Sequence, residues 1–136
     1  MMYLSVTDLD FVARTVMAES EGESYEGKVA VAAVIYNRAR RPGWWGKTVK
    51  DVCLTSYQFS AWNERNTRRN KIGEWDLGDK VFRECMRAAI EGIDRDPTDG
   101  ADHYFAHDVV TPDWADGMQG MVIGNHTFLK RLAGEV

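Results

Sequence analysis

The sequence has little cysteine and no long apolar segment. Its two cysteines, Cys53 and Cys85, allow at most one disulfide and lack the spacing of a metal or redox motif, so we expect buried thiols. No stretch approaches about 18 consecutive apolar residues, which predicts that the chain has no transmembrane helix. The N-terminus lacks a basic segment followed by an apolar one and therefore does not resemble a secretory signal. Basic residues are not in excess either, and a net charge of -4 argues against nucleic acid as the main partner.

What is present fits an ordered globular protein. Charged residues make up 28% and aromatic residues 11% of the 136 residues, which is ordinary for a folded domain and unlike a disordered chain. The length predicts one domain, residues 1–136, with a sizeable core. Five tryptophans are many for this length, and tryptophan both fills cores and stacks on sugar rings.

The first half predicts helices. Apolar residues at helical spacing predict an amphipathic helix that Thr7 caps and Gly22 ends. A second helix is predicted to begin near residues 24–26 and to end at Pro42. Its apolar run, residues 29–35, covers the whole circumference, so we expect it to be the central buried helix.

Two further helices are predicted, one capped by Thr48 and one capped by Asp76 and closed by Gly92. The apolar face of the latter is predicted from the residues Leu77, Val81, Phe82, Cys85, Met86, Ala89 and Ile90. Between these helices, residues 57–62 alternate aromatic and polar side chains and could be extended, and residues 63–73 are predicted to be a surface loop.

The last third has strand character. Residues 101–106 predict a strand, and residues 121–123 and 127–129 predict a hairpin about Gly124-Asn125. The predicted class is therefore α+β, with about four helices followed by a small antiparallel sheet.

A group of three carboxylates, Glu19, Glu21 and Glu23, lies where the first helix meets Gly22. A carboxyl group at the end of a packed helix can be partly desolvated, which raises its pKa and makes it an acid at neutral pH. Glycoside cleavage needs such an acid and often a second carboxylate nearby. Residues four apart on a helix approach one another, so Glu19 and Glu23 could be partners. Ordinary solvated surface acids are the alternative interpretation.

Two other groups of polar residues could bind a metal ion or an anionic ligand. His103, His107 and His126 could bind zinc, but a His-x-x-x-His pair is typical of zinc sites only on a helix, and this segment is predicted to be a strand. Structural or substrate-orienting histidines are favoured instead. The basic residues between positions 65 and 71 could bind an anionic polymer, although short charge runs are usually solvated. These basic residues are Arg65, Arg68, Arg69 and Lys71.

Six short motifs follow one another from about Phe11 to Leu129. They are Ala18-Glu19-x-x-Gly22-Glu23, Gly27-x-Val29-Ala30-Val31-Ala32-x-Val34-x-x-Asn37-Arg38, Gln58-Phe59-Ser60, Gly100-Ala101-x-His103-Tyr104-Phe105, Pro112-x-Trp114 and Ile123-Gly124-x-His126-x-Phe128. In this order they resemble the cell-wall hydrolase family typified by SleB and CwlJ, the spore cortex-lytic enzymes.

The resemblance implies a lysozyme-like domain that cleaves the MurNAc-GlcNAc β-1,4 bonds of peptidoglycan and leaves a 1,6-anhydro-MurNAc end. It implies Glu19 as the catalytic acid, without a metal or other cofactor. Glu23 is expected either to shape the site or to act as a second carboxylate in a hydrolytic muramidase, and Glu21 to face solvent as a bystander.

Polar and aromatic residues of the motifs, together with Trp62, are the candidates for binding glycan. They are Gln58, Ser60, Trp62, His103, Tyr104, Trp114 and His126. Two further alternatives stay open: a zinc-dependent wall amidase or peptidase that uses the three histidines, and a non-catalytic wall-binding module. We expect a monomer whose partner is peptidoglycan, with no membrane insertion. The missing export signal and wall-binding repeats favour a protein made in the cytoplasm and delivered by phage lysis or in a virion.

Overall fold

The computed structural model describes residues 2–41, 43, 45–55, 72–109 and 111–131. Its helices are α1 (Val6–Ser20), α2 (Tyr25–Arg40), α3 (Val49–Leu54) and α4 (Lys80–Glu91), with a short 3-10 helix at Asp113–Ala115. Its strands are β1 (His103–Ala106), β2 (Met121–Ile123) and β3 (His126–Leu129). Within the described ranges this confirms the predicted α+β class, with helices first and a small antiparallel sheet after them.

Helix α1 begins with a reciprocal cap. The Ser5 hydroxyl accepts a hydrogen bond from the Asp8 N–H at 3.1 Å, and the Asp8 carboxylate accepts one from the Ser5 N–H at 3.0 Å. The prediction of Thr7 as the cap was therefore wrong, because Ser5 and Asp8 satisfy two backbone donors together. The helix ends at Ser20, before Gly22, as predicted.

Helix α2 is the centre of the molecule, as its apolar run predicted. Ser24 caps it by accepting a hydrogen bond from the Gly27 N–H, and every residue from Gly27 to Arg38 is buried. It packs against α1, α3 and α4, so the other three described helices surround it. Three buried polar side chains, Lys28, Asn37 and Arg38, lie along it, near its two ends.

The predicted N-cap of α3 is confirmed, and that of α4 was wrong. Thr48 accepts a hydrogen bond from the Asp51 N–H at 3.1 Å and caps α3 as predicted. Helix α4 is capped by Asp79, whose Oδ1 accepts from the N–H groups of residues 81 and 82. The predicted cap, Asp76, instead accepts from the Gly78 N–H in the preceding turn.

The predicted apolar face of α4 also included two residues that are exposed. Leu77 lies in the turn before the helix and is 58% exposed, and Ile90 is 52% exposed. Gly92 closes the helix as expected, and its N–H donates to the Ala88 carbonyl at 2.9 Å. A Cβ atom on Gly92 would lie 2.9 Å from the Cβ of Ala32, so the end of α4 approaches α2 very closely.

The sheet has the order β1-β3-β2, and both pairs are antiparallel. The hairpin about Gly124-Asn125 is confirmed, and Gly124 has the positive φ of +59° that its turn requires. The first strand begins at His103 rather than at residue 101. Because side chains alternate along a strand, Tyr104 faces the helices and its neighbour His103 faces the opposite side.

Both cysteines are buried free thiols, as predicted. Over the ranges that the structure describes, none of the helices has the length and apolar character needed to cross a bilayer. The predicted extended segment over 57–62 lies outside the described residues, as does the predicted surface loop over 63–73 except for its last two residues. Of these two, Ile72 is buried rather than at the surface.

Candidate active site

Glu19 and Tyr104 form the centre of the candidate site. Glu19 is the second-last residue of α1 and is half-buried, and the hydroxyl of Tyr104 on β1 donates a hydrogen bond to Glu19 Oε1 at 2.5 Å. Burial, followed by the negative charge of Glu19, raises the pKa of Tyr104 well above its ordinary value. The phenol therefore stays protonated and serves as a donor to the carboxyl group.

Arg38 supplies a buried positive charge beside this pair. Its Nε donates to the backbone carbonyl of Asp102 at 2.7 Å, and its guanidinium lies 5.4 Å from the ring centroid of Trp45. Burial lowers the pKa of Arg38, and the charges of neighbours that include Glu19 act in the opposite direction. An arginine remains a cation at neutral pH even so, and its charge favours a carboxylate at Glu19.

Glu23 binds the β2–β3 turn. Its two carboxylate oxygens accept hydrogen bonds from the backbone N–H and the side-chain Nδ2 of Asn125, both at 2.9 Å. Burial alone would raise the pKa of Glu23, but the hydrogen bonds from Asn125 and the charges of His126 and Lys28 outweigh it, and the pKa is lowered. Glu23 is therefore an ionised carboxylate with both of its oxygens hydrogen-bonded to Asn125.

His126 links Glu23 to Tyr104. Its Nδ1 lies 3.4 Å from Glu23 Oε1, beyond the usual range for such a bond, and this buried nitrogen has no hydrogen-bond partner. Burial lowers the pKa of His126, with Glu23 opposing the change, so the ring is neutral at pH 7. The imidazole meets the Tyr104 ring edge-on at a centroid distance of 5.2 Å.

His103 and Trp114 lie together on the other face of the sheet. Their ring centroids are 5.2 Å apart, and His103 Nδ1 contacts Asp102 Oδ1 at 2.8 Å. Asp102 is fully buried and also accepts a hydrogen bond from the Arg131 N–H. The structure thus divides the predicted residues into one group around Glu19 and a second group, His103 and Trp114, beside the buried Trp45, whose ring centroid lies 6.1 Å from that of His103.

The remaining predicted residues have different outcomes. Gln58, Ser60 and Trp62 lie outside the described residues, so their predicted contacts with glycan stay predictions. Glu21 is exposed, as expected of a bystander. Among the described residues, the three histidines and the acidic and cysteine side chains form no group of three that could hold a metal ion.

Sequence reasoning missed four residues of this region, which are Lys28, Arg38, Asp102 and Asn125. Lys28 is buried, and its ammonium group donates to the backbone carbonyls of Glu21 and Glu23 at 3.1 and 2.5 Å. The sequence did indicate Lys28 and Arg38, because both lie beside the apolar residues 29–35 of the helix predicted to be buried. A charged side chain there must find a partner inside the protein. Asp102 and Asn125 stand inside motifs, but their partners are distant in sequence and no local spacing indicates them.

The fold is that of a lysozyme-like domain. Two solved structures share it: the catalytic domain of the Bacillus cereus SleB protein (TM-score 0.77, 31% identity, 96% of this chain and 94% of that chain) and that of the germination-specific lytic transglycosylase SleB from Bacillus anthracis (TM-score 0.73, 32% identity, 93% and 97%).

The family follows from the sequence comparison. The model of the cell wall hydrolase family matches residues 22–129, and this chain belongs to that family. Curated relatives named spore cortex-lytic enzyme include those of Oceanobacillus iheyensis, 36% identical over 133 residues, and Bacillus subtilis, 34% identical over 125 residues. These matches cover 93% and 91% of this chain but only 42% and 38% of the relatives, so the chain spans less than half of their length.

Proposed function

We propose that this protein cleaves the glycan strands of peptidoglycan at MurNAc-GlcNAc β-1,4 bonds, as a lytic transglycosylase with Glu19 as its acid and base. The observation that carries the proposal is the 2.5 Å hydrogen bond from Tyr104 to Glu19 at the end of α1. Family membership and the similarity to a structure described as a lytic transglycosylase support it.

In the proposed reaction, the Glu19 carboxyl gives its proton to the glycosidic oxygen and the bond from that oxygen to C1 of MurNAc breaks. An oxocarbenium-like centre develops at C1, and Glu19 becomes a carboxylate. Glu19 then takes the proton of the sugar's own 6-hydroxyl while that oxygen attacks C1. No water is consumed, so one carboxyl group serves both steps.

Two neighbours assist Glu19 in this scheme. The Tyr104 hydroxyl donates to Glu19 Oε1 and stabilises the negative charge that forms when the proton leaves. The buried guanidinium of Arg38 acts in the same direction through its charge. Both interactions are stronger after proton transfer than before it, as transition-state stabilisation requires.

The test is Glu19→Gln, which keeps the shape of the side chain and removes the acid. We expect lysis of purified sacculi to fall to background, and Glu21→Gln, a substitution at the exposed neighbour, to retain it. Wild-type lysis by the Glu19→Gln protein would refute the proposed function.

Mass spectrometry of the released muropeptides identifies the reaction type. Transglycosylation gives products lighter by one water than the hydrolytic products, with anhydro ends. Reducing ends would instead favour a hydrolytic muramidase with a second carboxylate. We further propose a single domain that acts on the wall as a monomer; delivery by phage lysis or in a virion stays a prediction.

A further inference from the structure

We propose that Glu23 is a positioning residue that clamps the β2–β3 turn to the loop after Glu19, rather than a second catalytic carboxylate. The inference rests on the proposed function, in which Glu19 alone transfers protons. It concerns how the protein keeps Glu19 and Tyr104 at hydrogen-bonding distance, although they come from different elements.

The first observation is that the oxygens of Glu23 are already engaged. Both accept hydrogen bonds from Asn125, and Oε1 also faces His126 Nδ1. The side chain is only 9% exposed. A carboxylate that attacks a sugar or activates a water needs an oxygen open to the substrate, and the pairing with Asn125 opposes this.

The second observation is that the turn is shaped to receive this carboxylate. Gly124 has a positive φ, and a Cβ atom there would lie 2.6 Å from Glu23 Oε1. The turn thus brings the Asn125 N–H to Glu23, and a side chain at position 124 would collide with the carboxylate. On the other side, Lys28 holds the carbonyls of the loop from inside the protein.

The third observation connects the clamp with the acid. Asn125 immediately precedes His126, which pairs with Ala106 at the end of β1 and contacts the Tyr104 ring. Tyr104 in turn donates to Glu19, four residues before Glu23. The clamp closes a ring of contacts that runs from α1 through the hairpin and β1 back to α1, so it fixes the distance between the Tyr104 hydroxyl and Glu19.

The test moves the carboxylate of the clamp from position 23 to position 125, first without and then with the matching change at Glu23. Asn125→Asp places two carboxylates together, and we expect kcat to fall about 10- to 100-fold with KM little changed, because a misplacement of about 1 Å can cost on the order of 100-fold. The double variant Glu23→Gln with Asn125→Asp restores a complementary pair, since the Gln amide donates to the new carboxylate. We expect it to regain kcat to within a few-fold of Glu23→Gln alone.

Glu23→Gln by itself separates the two roles. The amide can accept from the Asn125 N–H and donate to the Oδ1 of a flipped Asn125 side chain, so a clamp survives with a few-fold loss of kcat and an unchanged shape of the pH profile. A second catalytic carboxylate would instead lose activity to the level of Glu19→Gln and lose one limb of the profile.

Thermal melts accompany each assay, so that loss of folded protein is not mistaken for loss of rate. If Asn125→Asp does not fold, Asn125→Ala removes only the Nδ2 donor and should give a smaller loss of kcat. Inactivity of Glu23→Gln, or an inactive double variant with a restored melting temperature, overturns the inference and leaves the proposed function standing. An active Glu19→Gln protein would overturn the proposed function itself.

Discussion

The hydrogen bond from Tyr104 to Glu19 gives the sharpest prediction. Tyr104→Phe removes the hydroxyl and keeps the ring that packs against His126 and Phe128. A hydrogen bond to a charged group contributes about 1.5–3 kcal/mol, and about 1.36 kcal/mol corresponds to a tenfold change in rate. If the whole contribution acts on the negative charge that forms on Glu19, kcat falls about 10- to 150-fold.

The pH dependence provides a second readout of the same change. A donor that stabilises the carboxylate form favours loss of the proton, so its removal should move the alkaline limb of the kcat/KM profile to higher pH. The assay is the release of soluble muropeptides from purified sacculi across a pH series, with the melting temperature measured on the same samples.

A matched control exists elsewhere in the chain. The Tyr25 hydroxyl donates to Glu91 Oε1 at 3.2 Å, so Tyr25→Phe deletes a tyrosine–glutamate hydrogen bond that joins two helices and does not involve the sheet. We expect this variant to keep wild-type kcat. A Tyr104→Phe enzyme with wild-type kcat and an unmoved alkaline limb would refute the role assigned to Tyr104.

Two further predictions concern stability. Burial opposes ionisation of Asp96, but hydrogen bonds from Thr98, Asn37 and Gly100 outweigh this effect and lower the pKa of Asp96 in the folded protein. The ionised side chain therefore stabilises the folded protein at pH values above its pKa in the unfolded chain. This stabilisation is lost as the pH falls through the pKa of Asp96 in the folded protein. Asp96→Ala should therefore lower the free energy of unfolding, measured by denaturant titration, by about 3 kcal/mol near pH 7 and by less in acid. An equal loss at both pH values would contradict this prediction. Burial raises the pKa of Cys53 and Cys85 to about 12, so neither should react with a thiol reagent until the protein unfolds; rapid labelling of the native protein would contradict it.

Local patterns predicted the helices well because their causes are local. The apolar run of α2 predicted its burial on all sides, and Ser24 and Thr48 stand directly before the helices they cap. Thr7 and Asp76 failed as predicted caps because another suitable side chain lies within three residues of each. In such cases the hydrogen bonds that form in the folded chain decide between candidates of similar propensity.

The site was less accessible from the residues alone. Glu19 and Tyr104 are separated by 85 positions, and Glu23 and Asn125 by 102, so no periodicity relates them. The family resemblance named Glu19 and Glu23, and it gave Tyr104 only as a candidate for binding glycan. It indicated neither the hydrogen bond from Tyr104 to Glu19 nor that Asn125 would occupy both oxygens of Glu23. That pairing depends on how the hairpin packs against the loop after α1, which is a property of the tertiary structure.

The complete enclosure of α2 has a consequence for how this sequence can change. From Gly27 to Arg38 no side chain has a solvent-facing position, and the alanines at 30, 32 and 33 are at most 1% exposed, so a larger side chain there would have to displace its neighbours. A substitution there must be matched by one in a surrounding helix, whereas an exposed position can vary alone. We expect relatives that share about a third of this sequence to have diverged mainly on the outer helices and turns, with α2 changing only in concert with its neighbours.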